Sequence, residues 1–169
     1  MKAVGVIAAI TIALALQTTL TRYAVSGASA VELALVAVVY VALTLGPVTG
    51  LLAGTLAGLL EDAMFSGVIG IGGLAKTIVG FLAGLIGTQF IVTAMLPRFV
   101  VFFGATVLHE LVFRGLYAVL GLREFGAPYG AVAAQATGNA LVGVVAFQLV
   151  ELLPGAVDRR RMAKTRLRR

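Results

Sequence analysis

The residues able to do chemistry are few, and they fall into small groups. Glu61 and Asp62 are adjacent, with Lys76 beyond a glycine-rich stretch. A carboxylate–ammonium pair across that stretch suits Asp62 with Lys76; alternatively all three sit in the headgroup layer. The net stabilisation of such a pair is small, because desolvation offsets attraction. Glu110 and Arg114 stand at i,i+4, so on a helix they share a face and pair. His109 is next to Glu110 in sequence but about 100° around the helix. A proton relay there needs a second titrating group on a continuous polar path, and the sequence identifies none for His109. A structural ion pair or a contact to a partner subunit is the expectation. Gln135 and Asn139 are also at i,i+4, with Thr137 between them. They suit interhelical hydrogen bonds or the lining of a small polar cavity. Gln17 is a further isolated polar group.

Other chemistries are excluded by what is missing. There is no cysteine and only one histidine, so thiolate sites, disulfides and multi-histidine metal sites are impossible. No nucleophile–base pair or paired-carboxylate hydrolase site is visible. The run Gly67–Gly73, GVIGIGG, lacks the strand–turn–helix context of a phosphate-binding loop. No catalytic, cofactor-binding or metal-ligating residue is assigned.

The elements that must position these groups are membrane helices. The 169 residues are 60% hydrophobic and 12% charged, against about 45–50% and about 25% in soluble domains. Mean hydropathy is +1.07. Such a chain cannot cover a water-facing surface, which excludes a soluble enzyme. Ala3–Leu20 is long enough to span and reads as a retained first helix rather than a cleaved signal. Ser26–Ser29 is a turn, and Ser29 with Glu32 fits a capping box, which gives Glu32 a local structural task. The uncharged run Leu33–Leu60 would be roughly 42 Å as one helix. Gly46-Pro47 divides it into helix two (30–45) and helix three (47–63). Helix four is expected at 74–95. Helix five runs from Pro97-Arg98 to about Gly121, and Leu122–Ala127 is a loop. Helix six runs from Pro128 to about Pro154. The expected fold is all-α: a six-span transmembrane domain over 1–154 and a basic tail over 155–169.

Charge position supports this layout. The formal net charge is +6. The tail holds Arg159, Arg160, Arg161, Lys164, Arg166, Arg168 and Arg169; removing these 7 from 13 basic residues leaves 6 against 7 acidic, a net of −1. Six spans place both termini in the cytoplasm, as the positive-inside rule favours. The tail is a solvated segment and an expected contact for anionic lipid. Nucleic-acid binding is not expected.

Gly50, Gly54 and Gly58 recur every four residues and form a small-residue face on helix three. Such faces let helices approach closely in lipid. They serve packing within the bundle or docking of a partner helix. Ser66–Gly73 is expected to be a loop or a broken helix entry.

Gly46-Pro47, Gly50, Gly54, Gly58-Leu59, Asp62, Gly67, Gly70, Leu74, Gly80 and Gly84 together resemble the signature of the bacterial rod-shape-determining MreD family. Gln17 near the end of a first helix is similar too. Ser29-Ala30 and Val68 stand where the family often has proline. The resemblance implies a non-enzymatic scaffold without a cofactor in the bacterial inner membrane. It would bind the single-pass protein MreC and link MreB to the wall-synthesising RodA and its transpeptidase. It also implies a fold similar to the S-components of ECF vitamin transporters. From that comes the alternative, a small-molecule binder with an enclosed polar pocket near Gln135, Asn139 and His109.

Overall fold

The computed structural model describes residues 2–23, 31–65, 68–90, 94–122 and 129–166. Among these the chain forms six helices and no strand. They are α1 (Lys2–Tyr23), α2 (Leu33–Leu45), α3 (Pro47–Met64), α4 (Ile71–Gln89), α5 (Met95–Val119) and α6 (Tyr129–Arg166). Four contain stretches long and apolar enough to cross a membrane: Ala3–Leu20, Ile71–Gln89, Met95–Val119 and Tyr129–Leu152. α3 carries Glu61 and Asp62 in its last turn, and α2 has 13 residues.

α2 is the centre of the bundle. Seven of its 13 residues are buried, which explains a helix that is apolar on every side. On one face Leu35, Val36, Val39 and Ala42 pack with Val79 and Ala83 of α4, Phe102 and Ala105 of α5, and Ala140 and Phe147 of α6. On the other, Ala34, Val38 and Val41 pack with Ile10 and Leu14 of α1 and Ala53 and Ala57 of α3. Gly46 separates α2 from α3 at φ 93°, a left-handed conformation that disfavours any residue with a Cβ. Pro47 then occupies the first turn of α3, where its missing N–H leaves no bond unmade.

The closest helix approach joins α3 and α4, antiparallel and backbone to backbone. A Cβ on Gly50 would strike the Gly80 carbonyl and Ala42. On Gly54 it would strike the Lys76 carbonyl, on Gly58 the Gly73 backbone, and on Gly84 Pro47. Thr55 and Thr77 hydroxyls bond across the same seam at 2.7 Å. The Gly50–Gly54–Gly58 face is therefore covered by α4. It is a packing face within the bundle, and a partner helix has to dock elsewhere.

Several boundaries differ from expectation. α4 starts at Ile71 and stops at Gln89, and α5 starts at Met95 rather than at Pro97. Proline is tolerated there because the first four amides of a helix have no intrahelical acceptor. α2 starts at Leu33 rather than residue 30. α6 does not end near Pro154 but continues to Arg166. One proline removes a single helical bond, and the following Arg159–Arg161, Met162, Ala163 and Lys164 are good helix formers. The Ser26–Ser29 turn, Arg123–Ala127 of the expected loop, and Pro128 lie outside the described residues.

Candidate functional site

In an up-and-down bundle the ends of α1, α3 and α5 meet the beginnings of α2, α4 and α6. The polar residues lie at that end, and a single network of them joins all six helices. Its hub is Glu32, only 7% exposed. Glu32 Oε1 lies 2.5 Å from Lys76 Nζ, and Gln135 Nε2 donates to Oε2 at 3.4 Å. His109 Nδ1 lies 3.4 Å from the same Oε2. Lys76, 3% exposed, also reaches Glu61 Oε2 at 2.8 Å and His109 Nε2 at 3.3 Å. Gln17 donates to Glu61 Oε1 at 2.7 Å.

The first amides of α2 find their acceptors in other helices. Glu32 N–H donates to Asn139 Oδ1 at 2.7 Å, and Ala34 N–H donates to Gln17 Oε1 at 3.0 Å. Asn139, fully buried, donates in turn to Thr106 Oγ1 at 3.1 Å. This overturns the capping-box reading of Glu32. Glu32 is itself the N-cap residue of α2, its carboxylate makes no capping bond, and it turns inward to Lys76. Ser29, the expected cap, lies outside the described residues.

The expected Asp62–Lys76 pair is likewise corrected. Asp62 Oδ2 accepts from Gly70 N–H at 2.8 Å and Gly73 N–H at 3.2 Å, so it caps α4 from the end of α3. Gly72 leaves room for it, since a Cβ there would strike the Asp62 carboxylate. Lys76 takes the other two carboxylates because α4 turns it into the bundle, away from the helix start. Glu110 and Arg114 pair within α5 at 2.7 Å. The polar path absent from the sequence around His109 is present in space, through Lys76 and Glu32.

These groups wall a cavity of about 530 Å³. Gln17, Glu61, Asp62, His109, Glu110 and Gln135 are on its polar side; Phe65, Phe113 and Tyr117 supply rings. Asn139 lies outside its lining, fully buried behind it. The cavity is a cleft open at this end of the bundle, not an enclosed one. At the other end of the bundle Arg98, 3% exposed, forks onto Glu151 at 2.5 and 2.9 Å and lies 4.4 Å over the Phe147 ring. The Arg98–Glu151 pair did not stand out in the sequence, and Glu32 did so only as a capping residue. One signal for Arg98 exists: it and Glu151 are nearly equidistant from the α5–α6 connection, as paired residues of antiparallel neighbours must be. The tail residues Arg159, Arg160, Arg161, Lys164 and Arg166 lie on the α6 chain. Arg168 and Arg169 lie outside the described residues.

These features define a small helical membrane protein, with long apolar helices around a buried polar network. The chain belongs to the rod shape-determining protein MreD family, whose sequence model matches residues 2–154, nearly the whole chain. The family is one of shape determination and is not known as an enzyme family. Neither the curated proteins nor the solved structures contain a match.

Proposed function

We propose that the protein is a non-enzymatic scaffold of the rod complex. It sits in the bacterial cytoplasmic membrane with six helices in the bilayer and both termini in the cytoplasm. There it holds MreC and, through it, influences MreB, RodA and the transpeptidase in wall synthesis. The family match over residues 2–154 carries this reading. The helix lengths are compatible with six spans: α2 is short, at about 20 Å, but it is enclosed by protein and need not meet lipid on both ends. The continuation of α6 to Arg166 carries basic residues past the span, where they contact anionic headgroups. Purification in mild detergent, with mass spectrometry of the recovered complex, tests the scaffold. MreC is expected among the recovered proteins; recovery of the bundle with a transporter's ATPase subunits in its place would refute it.

One observation favours a second reading. The cavity of about 530 Å³ is within the range of small-molecule sites, roughly 300–1,000 Å³. It includes Gln135 and His109 of the expected pocket but not Asn139, and it is an open cleft rather than the enclosed pocket expected. In that reading the bundle holds a vitamin-sized ligand on the face opposite the basic tail.

A further inference from the structure

We infer that Pro154-Gly155 is a hinge in α6, and that the charge of the adjoining membrane leaflet sets its bend. This rests on the reading of the basic tail as a contact for anionic lipid and gives that contact its geometry.

Of the 38 residues of α6, 24 form the apolar span Tyr129–Leu152. The helix then continues to Arg166, about 21 Å past Leu152 at about 1.5 Å per residue. Arg159, Arg160, Arg161, Lys164 and Arg166 lie on this extension, and Asp158 is its one acidic residue. Charges in water are screened beyond about 8 Å at physiological ionic strength. An extension in line with an upright span therefore carries its last basic positions out of reach of the headgroups. Laid along the surface, it brings all five within range of an anionic leaflet. The attraction is collected only if the helix bends.

The junction suits a bend. Pro154 has no N–H, so the Val150 carbonyl loses its helical partner, and the ring crowds that carbonyl. Gly155 follows, and glycine is the poorest helix former after proline. Sharp bends fall at such residues. Between Gly143 and Arg166 there is no other proline or glycine.

The span side of the junction is pinned. Arg98, 3% exposed, forks onto Glu151, three residues before Pro154, at 2.5 and 2.9 Å. Its guanidinium lies over the Phe147 ring, which packs on Tyr40 of α2 at 4.6 Å. One turn deeper, Gly143 sits against Phe102. A pull on the extension is therefore taken up at residues 154–155 rather than passed into the span.

The extension is not an inserting helix. At about 100° per residue its five basic positions are spread around the axis, and no apolar stripe wide enough to enter the interface is left between them. Its attachment is electrostatic, so it is reversible by salt.

The chain has no cysteine, so a single introduced one takes a dye cleanly. Thr165→Cys carries a donor in nanodiscs whose headgroups carry an acceptor, made of phosphatidylcholine alone or mixed with phosphatidylglycerol. Energy transfer should rise in the anionic discs and fall back at high salt. A donor on Val150→Cys, on the span side, should read the same in both. The double variant Pro154→Ala/Gly155→Ala should reduce the rise at Thr165 severalfold. A rise that the double variant keeps in full, or that Val150 shares, overturns the hinge and leaves the lipid contact standing. High transfer in both lipids overturns control by leaflet charge, again with the contact standing. A rise that survives high salt overturns its electrostatic origin. Low transfer in both lipids overturns the hinge and the lipid contact together.

Discussion

The seam between α3 and α4 permits a test in which the same substitution is made in two settings. Gly54→Ala and Gly104→Ala each add one methyl to a helical glycine. At Gly104 the added Cβ meets nothing within 4 Å; at Gly54 it meets the Lys76 carbonyl and the Thr77 amide. Alanine in a helix interior is favoured over glycine by about 0.5–1 kcal/mol at either site. Overpacking costs about 1–3 kcal/mol, toward the upper end where backbone must move. The propensity gain is common to both variants and cancels in their difference. Gly104→Ala should therefore be neutral or stabilised, and Gly54→Ala should be less stable than it by about 1–3 kcal/mol. Reversible unfolding of the purified protein in mixed micelles, followed by circular dichroism, measures both. Equal stabilities would refute the backbone contact at Gly54 and reopen its face to a partner helix.

Other substitutions probe the polar network. Lys76→Met strands Glu32 and Glu61 beside each other and should destabilise by about 3–5 kcal/mol in the same assay; much of this should return when Glu32→Gln is added. A Lys76→Met variant as stable as the parent would mean that the ammonium does not hold the buried carboxylates. Asp62→Ala should cost about 0.5–2 kcal/mol as a lost cap, and Asp62→Asn, which keeps an acceptor, should cost less. In a double-mutant cycle with Lys76 the Asp62 effect should be additive within about 0.5 kcal/mol, and a larger coupling would restore the direct pair.

What could be read from the sequence follows the range of the interaction. The α2–α3 break was legible because Gly46-Pro47 acts locally, and α3 came out within a residue of its expected end. The Glu110–Arg114 pair was legible because i,i+4 is a property of one helix. Glu32 was misread for the complementary reason. Serine three residues before it makes a plausible local cap, while its observed partners Lys76, His109, Gln135 and Asn139 come from three other helices. Asp62 and Lys76 flank the same turn, yet which carboxylate faces the ammonium depends on the rotation of α4, and that is set by glycine contacts with α3. The packing role of Gly50, Gly54 and Gly58 was one of two open readings, decided only by where α4 lies.

The arrangement of these contacts bears on how such a bundle transmits anything. In lipid no hydrophobic force drives helices together, so close backbone approach and polar pairs must set their register. α3 and α4 are joined by the first means, and α5 and α6 by both, with Gly143 close against Phe102 and Arg98–Glu151 at one end. Between α4 and α5 lies an apolar groove of about 440 Å³. At the network end, polar ties from α2 and α4 to α5 and α6 run through Glu32 and Lys76 to His109, Gln135 and Asn139, and the Val68 amide donates to the Tyr117 hydroxyl. A lost charge at Glu32 or Lys76 therefore acts on contacts that join α2 and α4 to α5 and α6.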